Sequence, residues 1–469
     1  MDQATVKRYL PWIVATALFM EQLDTTIVNT AVPSMAASFG VSPLSLRGVV
    51  ASYILSLAIG IPLSGWTADR FGTRRVFSVA VALFTTSSLL CGLSVNVSML
   101  IGARILQGIG AAMMVPVGRL SIIRTFSKSE LLGAMNFVII PALVGPLLGP
   151  TIGGLIVHWF SWRDIFFVNV PVGIAAQWLI HRHMPDYRSD VKRPFDLTGY
   201  LLFGTGIALL SLLLEVFGEY PSDGSPTWAV GVVAILLLLA YFFHAQRINF
   251  PLLRLSLFKV RTFRIAVLGG FVTRLGIGGM PFLLPLLYQL GLGLSAWQSG
   301  LLLMPAAAAA MCMKFVAPRI LARFGYRNVL IVNTVLIGLS ISLFGFVSVD
   351  TPGWLIVSLG LAQGLFNSLQ FTSMNSMAYS DIDAPDSSMA STISSSLQQL
   401  SMSFGLACGS LVTSWYLGDV AQTDQIAVTG ALHHSFLTLG VITLLSSLFF
   451  WALRPSDGSA VSRTARNSE

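Results

Sequence analysis

The chain reads as long apolar runs separated by short breaks rich in polar residues, Gly and Pro. A membrane-crossing helix needs about 20 mostly apolar residues. Such runs fall near 11–33, 47–68, 75–96, 98–120, 132–157, 164–184, 197–217, 228–245, 264–290, 296–318, 327–348, 352–378, 391–415 and 433–453. They predict an all-α membrane protein with fourteen transmembrane helices, since a helix satisfies its own backbone inside lipid. The first run follows Lys7 and Arg8 in the manner of a signal peptide. Glu21 and Asp24 in its interior, and the lack of a small-residue cleavage site, mark it instead as a retained helix.

Composition narrows the class. Of 469 residues, 54% are hydrophobic and 10% charged, against about 25% charged in a soluble domain. A soluble multi-domain enzyme is excluded, and so is disorder. Three cysteines (Cys91, Cys312, Cys408) are too few and too scattered for a disulfide framework or a zinc site. The net charge of +8 would suit a nucleic-acid partner, but its location has another cause. With the N-terminus inside, 22 of the 28 Lys and Arg fall in cytoplasmic segments. Only Arg47 and Arg163 fall in outer loops, and Arg104, Arg119, Arg274 and Lys314 lie within spans. This is the positive-inside pattern. It places both termini in the cytoplasm and leaves nucleic acid no part.

An internal repeat divides the chain. The loop after the second span runs Gly65-Trp-Thr-Ala-Asp69-Arg70-Phe71-Gly72-Thr-Arg74-Arg75, and the loop after the tenth contains Arg323-Phe324-Gly325. The two Arg-Phe-Gly triplets lie 253 residues apart. The second lacks the acidic residue, having Leu321-Ala322 before Arg323. Parallel repeats of this kind build transporters with the site at the midplane between halves. The expected organisation is a six-helix bundle over 1–185, a linker over 186–263, a second six-helix bundle over 264–455 and a cytoplasmic tail over 456–469. The linker carries two extra spans, an even number as topology requires. Its basic stretch Gln246–Thr262 is expected to lie along the inner membrane surface.

Five patches then carry a resemblance. They are Leu23-Asp24-Thr25-Thr26-Ile27-Val28-Asn29 in the first helix and the Gly65–Arg75 loop. Next come Arg104-Ile-Leu-Gln107-Gly108-Ile-Gly110 in the fourth helix and Gly145-Pro146-Leu-Leu-Gly149-Pro150-Thr-Ile-Gly153-Gly154 in the fifth. The last is Trp162-Arg163 through Asn169 to Gly173. In this order the chain resembles the major facilitator superfamily, specifically its fourteen-helix drug:proton antiporter branch. The resemblance implies a bacterial inner-membrane exporter exchanging protons for small amphipathic compounds. It also implies that Gly65, Asp69, Arg70, Gly72, Arg74 and Arg75 clamp the two halves on the inside.

Buried charges are the candidate chemistry, because a charge at the bilayer centre costs about 2.5–3.5 kcal/mol on insertion scales. Glu21 and Asp24 are three apart and share a helix face. At about 1.5 Å per residue, Asp24 and Arg104 lie at similar depth. Asp24, Glu21 or both are expected to bind the transported proton. Arg104 would keep a nearby carboxylate charged when close and release it to protonation when the helices part. The alternative is a static ion pair that only satisfies burial. Arg274 sits ten residues into the ninth span, as Glu21 does in the first. It is either an anion-binding residue or the partner of Glu21. Asn29, Gln107, Asn136, Gln363 and Asn367 join Arg274 as candidate cavity residues, with helix-to-helix hydrogen bonding as their alternative role.

Gly145, Gly149 and Gly153 recur every four residues and form a smooth stripe for close helix approach. Pro146 and Pro150 remove backbone donors beside them. With Gly154 these residues are the candidate hinge; ordinary small-residue packing is the alternative. Enzyme chemistry finds no support, and without a Gly-x-x-x-x-Gly-Lys loop ATP is not the driver. No metal and no cofactor are expected. The expected partners are a small-molecule substrate, protons and membrane lipid, with the chain acting as a monomer. Multidrug efflux is the first reading. Export of a specific anionic metabolite or metal chelate is the second, and a non-transporting membrane sensor the third.

Overall fold

A computed structural model describes residues 3–188, 194–219, 224–383, 386–418, 420 and 424–458. The last residues of the expected 456–469 tail therefore lie outside the described residues, as do Lys192 and Arg193 of the linker. Among the described residues all regular structure is helical. The helices are α1 (Gln3–Phe39), α2 (Arg47–Phe71), α3 (Thr73–Gly92), α4 (Val97–Thr125), α5 (Lys128–Trp159), α6 (Asp164–Phe167), α7 (Asn169–His183) and α8 (Leu197–Glu219). They continue as α9 (Gly224–Ala245), α10 (Arg261–Ile277), α11 (Met280–Leu286), α12 (Ala296–Phe324), α13 (Tyr326–Phe344), α14 (Gly353–Tyr379), α15 (Ser387–Leu417) and α16 (Gln425–Phe450).

Each predicted span falls on one helix or on two consecutive ones, because apolar runs bounded by Gly and Pro set helix length. Among the described residues, ten helices are long and apolar enough to cross a membrane, so the chain is a multi-pass membrane protein. Several boundaries differ from expectation; α1, for example, runs from Gln3 to Phe39 rather than over 11–33. α16 starts at Gln425, not His433, since Asp424 caps it by accepting from the amides of Ile426 and Ala427. His433 therefore lies inside the helix and bonds the Val347 carbonyl at 2.7 Å. The span near 264–290 is interrupted at Gly278–Gly279 and ends in a π-turn over Leu287–Gly291. At the break, α10–α11 and α15 meet backbone to backbone: a Cβ on Gly405 would stand 2.4 Å from the Arg274 carbonyl.

The chain divides into two compact units, Met1–Leu197 with Ser295–Gly300, and Thr198–Leu294 with Leu301–Glu469. In unit 1, α1 is buried on nearly every face along much of its length, as its apolar residues on all sides require. The fifth-helix glycines explain how it fits. A Cβ on Gly149 would stand 2.1 Å from Thr26 Oγ1, and one on Gly153 would stand 2.7 Å from the Ile27 carbonyl. Gly145 likewise faces the backbone amide of Leu23. The stripe thus lets α5 lie directly against α1 along the stretch that carries Asp24. Gly154 faces the Ala296 backbone within the same unit. The helix runs through Pro141, Pro146 and Pro150 without a break.

In unit 2 the basic stretch before α10 is pinned by ion pairs. Arg254 bonds Asp386 at the start of α15, and Arg261 bonds Asp457. Thr262 donates to Asp381 at 2.9 Å. Tyr241 of α9 holds Leu253 through both its amide and its carbonyl.

Candidate functional site

Packing of α4 sets the geometry. A Cβ on Gly108 would stand 2.5 Å from the Tyr53 carbonyl of α2, and one on Gly110 would stand 2.9 Å from the Ala80 carbonyl of α3. These glycines let α4 sink between α2 and α3, one turn beyond Arg104. The Arg104 side chain is 1% exposed and Asp24 is 0% exposed. Arg104 Nη1 donates to Asp24 Oδ2 at 2.5 Å and to Gln107 Oε1 at 2.8 Å. Its Nε donates to the Val49 carbonyl at 3.2 Å. The guanidinium lies 4.2 Å from the Tyr53 ring centroid, in cation–π range.

Two further donors complete the carboxylate. Gln107 Nε2 and Asn169 Nδ2 both donate to Asp24 Oδ1, at 2.9 and 3.0 Å. Asn169 also donates to Ser88 Oγ at 3.1 Å, and that hydroxyl donates to the Phe166 carbonyl at 2.9 Å. The break between α6 and α7 falls at Val168, so Asn169 opens α7. Sequence reasoning placed Asn169 in a patch but gave it no role. The signal available was an Asn inside the apolar stretch Ile165–Ala176. Arg104 keeps two neutral acceptors, Gln107 and Val49, besides Asp24. Protonation of Asp24 would remove its charge without stripping the guanidinium of every partner.

Glu21 is partnered differently. It is 4% exposed and accepts from Gln22 Nε2 at 2.7 Å. Asn29 donates to the Thr25 carbonyl at 3.4 Å, while its own side-chain oxygen is buried without a partner. The Asn136 side chain lies outside the described residues.

In unit 2, Arg274 is 5% exposed. Its guanidinium lies 4.7 Å from the Phe371 ring centroid, and its Nε is buried without a hydrogen-bond partner. No carboxylate of unit 2 pairs with it among the described residues. It lines a small cavity with Met374, Asn375 and Gln398. Gln363 donates to Asn367 at 3.4 Å, and its buried oxygen is unpartnered. Gln370 is instead tied between Thr334 and Asn333 at 2.7 and 2.8 Å, as helix-to-helix bonding requires.

The α2–α3 loop is held at one end of unit 1. Asp69 accepts from Arg124 Nη2 at 2.8 Å. Arg74 bonds the His181 carbonyl through its side chain and Asp186 Oδ1 through its amide, the latter at 3.1 Å. Gly72 has φ 96° and ψ 143°, a conformation side chains rarely adopt. Arg70 and Arg75 are exposed, and a Cβ on Gly65 would meet nothing within 4 Å. Arg124 and Asp186 were not anticipated from sequence, because their pairing links helices far apart in the chain.

The sequence matches the Major Facilitator Superfamily over residues 14–406. The chain belongs to the major facilitator superfamily. Its relatives include MdtD of Salmonella paratyphi A, named as a candidate multidrug resistance protein. That protein is 40% identical over 454 residues, covering 96% of this chain and 95% of the relative. MdtD of Escherichia coli O45:K1 is 40% identical over 469 residues, 98% of each chain. Among solved structures, a D-xylose–proton symporter superposes with a TM-score of 0.69 at 17% identity, covering 96% of this chain and 98% of that one. At that identity the likeness concerns the fold. Members of the superfamily carry small molecules across membranes, and the buried Asp24–Arg104 cluster is set in such a scaffold.

Proposed function

We propose that this protein is a proton-coupled exporter that moves small amphipathic compounds out of the cytoplasm by alternating access. The observation that carries the reading is the buried Asp24 carboxylate with its three donors, Arg104, Gln107 and Asn169. A buried ionisable group in a membrane span is expensive and marks an ion or substrate path. Asp24 takes the proton, its charge is lost, and the pair with Arg104 loosens so that the helices shift. Glu21, one turn away, is the second candidate carrier. The names of the MdtD relatives favour drugs as cargo, and the buried carboxylates favour compounds bearing positive charge.

On this reading all fourteen spans cross the bacterial inner membrane, including the four beyond the ten apolar ones, and both termini are cytoplasmic. Residues 1–185 and 264–455 are the two six-helix bundles, and 186–263 the linker with the inserted pair. The protein works as a monomer in lipid, with no cofactor, no nucleic acid and no catalysis. Asn29, Asn136, Arg274, Gln363 and Asn367 line the cavity. Gly145 to Gly154 form the hinge, and the Gly65–Arg75 loop clamps the halves on the inside.

Arg274 supports a second reading, export of an anionic metabolite or metal chelate, because its buried charge has no carboxylate partner among the described residues of its own unit. Substrate-induced proton movement in everted membrane vesicles tests both. A respiratory pH gradient should collapse when a cationic drug or an organic anion is added to wild type and persist in Asp24→Asn. The charge of the active compound selects between the readings. If no compound moves protons while the folded protein is abundant, the coupled reading fails.

A further inference from the structure

We propose that Asp186 is the positioning residue of the α2–α3 loop. Its carboxylate fills the space that Gly72 leaves open and straps the start of α3 to the segment leaving α7. The proposal rests on the alternating-access reading above.

The strap is built from contacts that converge on one short segment. A Cβ on Gly72 would lie 2.3 Å from Asp186 Oδ1. The same oxygen accepts the Arg74 amide at 3.1 Å, at the first turn of α3. A carboxylate there meets the partial positive charge of the helix N-terminus. The next residue continues the strap. Thr73 donates its amide to the Tyr187 carbonyl at 3.0 Å, and Tyr187 returns its amide to Thr73 Oγ1 at 3.0 Å. The Tyr187 hydroxyl then bonds Thr125 Oγ1 at 2.9 Å, at the last turn of α4. Its neighbour Arg124 holds Asp69. The loop is thus gripped on both flanks, by Asp69 to α4 and by Asp186 to the exit of α7.

The strap borders a cavity lined by Gln3, Val6, Arg124 and Met184. Pro185, Asp186 and Tyr187 lead directly into the linker toward α8. A shift of the α2–α3 loop must therefore break these bonds or carry the head of the linker with it. Asp186 accordingly sets how fast the loop changes position and leaves substrate affinity alone.

Hydrogen exchange on the full chain in lipid nanodiscs, without substrate, tests the strap. Asp186→Ala is expected to speed exchange at residues 73–76 by about tenfold, the loss of one bond to a charged acceptor. Asp186→Asn keeps an acceptor of the same shape and should raise exchange less. It carries the test if the alanine variant does not fold. Arg188→Ala removes an Asp186 partner that is 61% exposed and should leave exchange within about twofold. In vesicles, with a compound that collapses the gradient in wild type as the probe, Asp186→Ala should raise kcat at unchanged KM, because a loop shift then has one bond fewer to break. Unchanged exchange in Asp186→Ala, or a raised KM at normal kcat, overturns the proposal. If wild type moves no substrate, the export reading fails, and exchange alone decides the strap.

Discussion

Arg104 and Arg274 are the same residue type at nearly the same burial, one in each unit, and each lies over an aromatic ring, but their polar partners differ. Arg104 is bound to a carboxylate, an amide and a backbone carbonyl, and stacks on Tyr53. Arg274 rests over Phe371 with its Nε unpartnered and no carboxylate among the described residues of its own unit. Burial by itself therefore does not say what a membrane arginine does. A paired guanidinium is locked by the cost of leaving its partner alone. An unpaired one keeps its field available to a ligand. The repeated loops differ in the same way. Gly72 and Gly325 both have positive φ, 96° and 72°. Asp186 crowds the first, whereas a Cβ on the second would meet nothing within 4 Å. The repeat kept the backbone turn and changed the chemistry around it.

The sharpest way to break the arginine comparison is to remove each side chain. Arg104→Ala leaves Asp24 buried without its cation and should lower stability by about 3–5 kcal/mol. Arg274→Ala removes a charge that lacks a counterion among the described residues of its unit and should be neutral or stabilising. Unfolding of both purified variants in one detergent checks this, and equal losses would erase the distinction. The loop comparison should give a smaller effect. Gly325→Ala is strained only by its backbone, about 1–3 kcal/mol. Gly72→Ala carries the same strain and also displaces Asp186, so it should cost more in the same assay. If the two cost the same, Asp186 makes no difference to the turn.

The smallest effect is expected at an exposed pair of unit 1, where pairing occurs without burial. Lys7 Nζ lies 2.8 Å from Glu130, which also completes the capping box with Ser127 at the start of α5. The Lys7 ammonium, then the Ser127 hydroxyl and amide, hold the Glu130 carboxyl down from 4.5 to about 2. A depressed carboxyl contributes stability fully above its unfolded value and loses it as pH falls through the folded one. The contribution should be present above pH 4.5 and fade toward pH 2. Thermal unfolding of wild type and Lys7→Ala should converge over that window. Because the pair is exposed, high salt should shrink the difference. A difference that ignored both pH and salt would show that Lys7 acts through packing.

That Asp24 and Arg104 lie at a similar level along their helices was legible from helical rise, and their ion pair agrees with it. So were the close approach along Gly145, Gly149 and Gly153 and the paired turns at Gly72 and Gly325. These are short-range consequences of period, side-chain size and backbone freedom. The start of α16 was not legible, because a pair of histidines hid the cap at Asp424 that extends the helix.

What the sequence determined by itself is the ladder of helices, the repeated Arg-Phe-Gly turn and four of the charges buried inside, Glu21, Asp24, Arg104 and Arg274. These follow from the cost of exposing backbone and charge to lipid, which is paid residue by residue. Only the tertiary structure decided that Asn169 and Gln107 complete Asp24, that Asp186 sits against Gly72, and that Arg274 meets no carboxylate among the described residues of its own unit. Those facts depend on how helices distant in sequence rotate and settle against one another. A hydrogen bond is decided within a few tenths of an ångström and within tens of degrees, and the one-dimensional pattern does not carry that information.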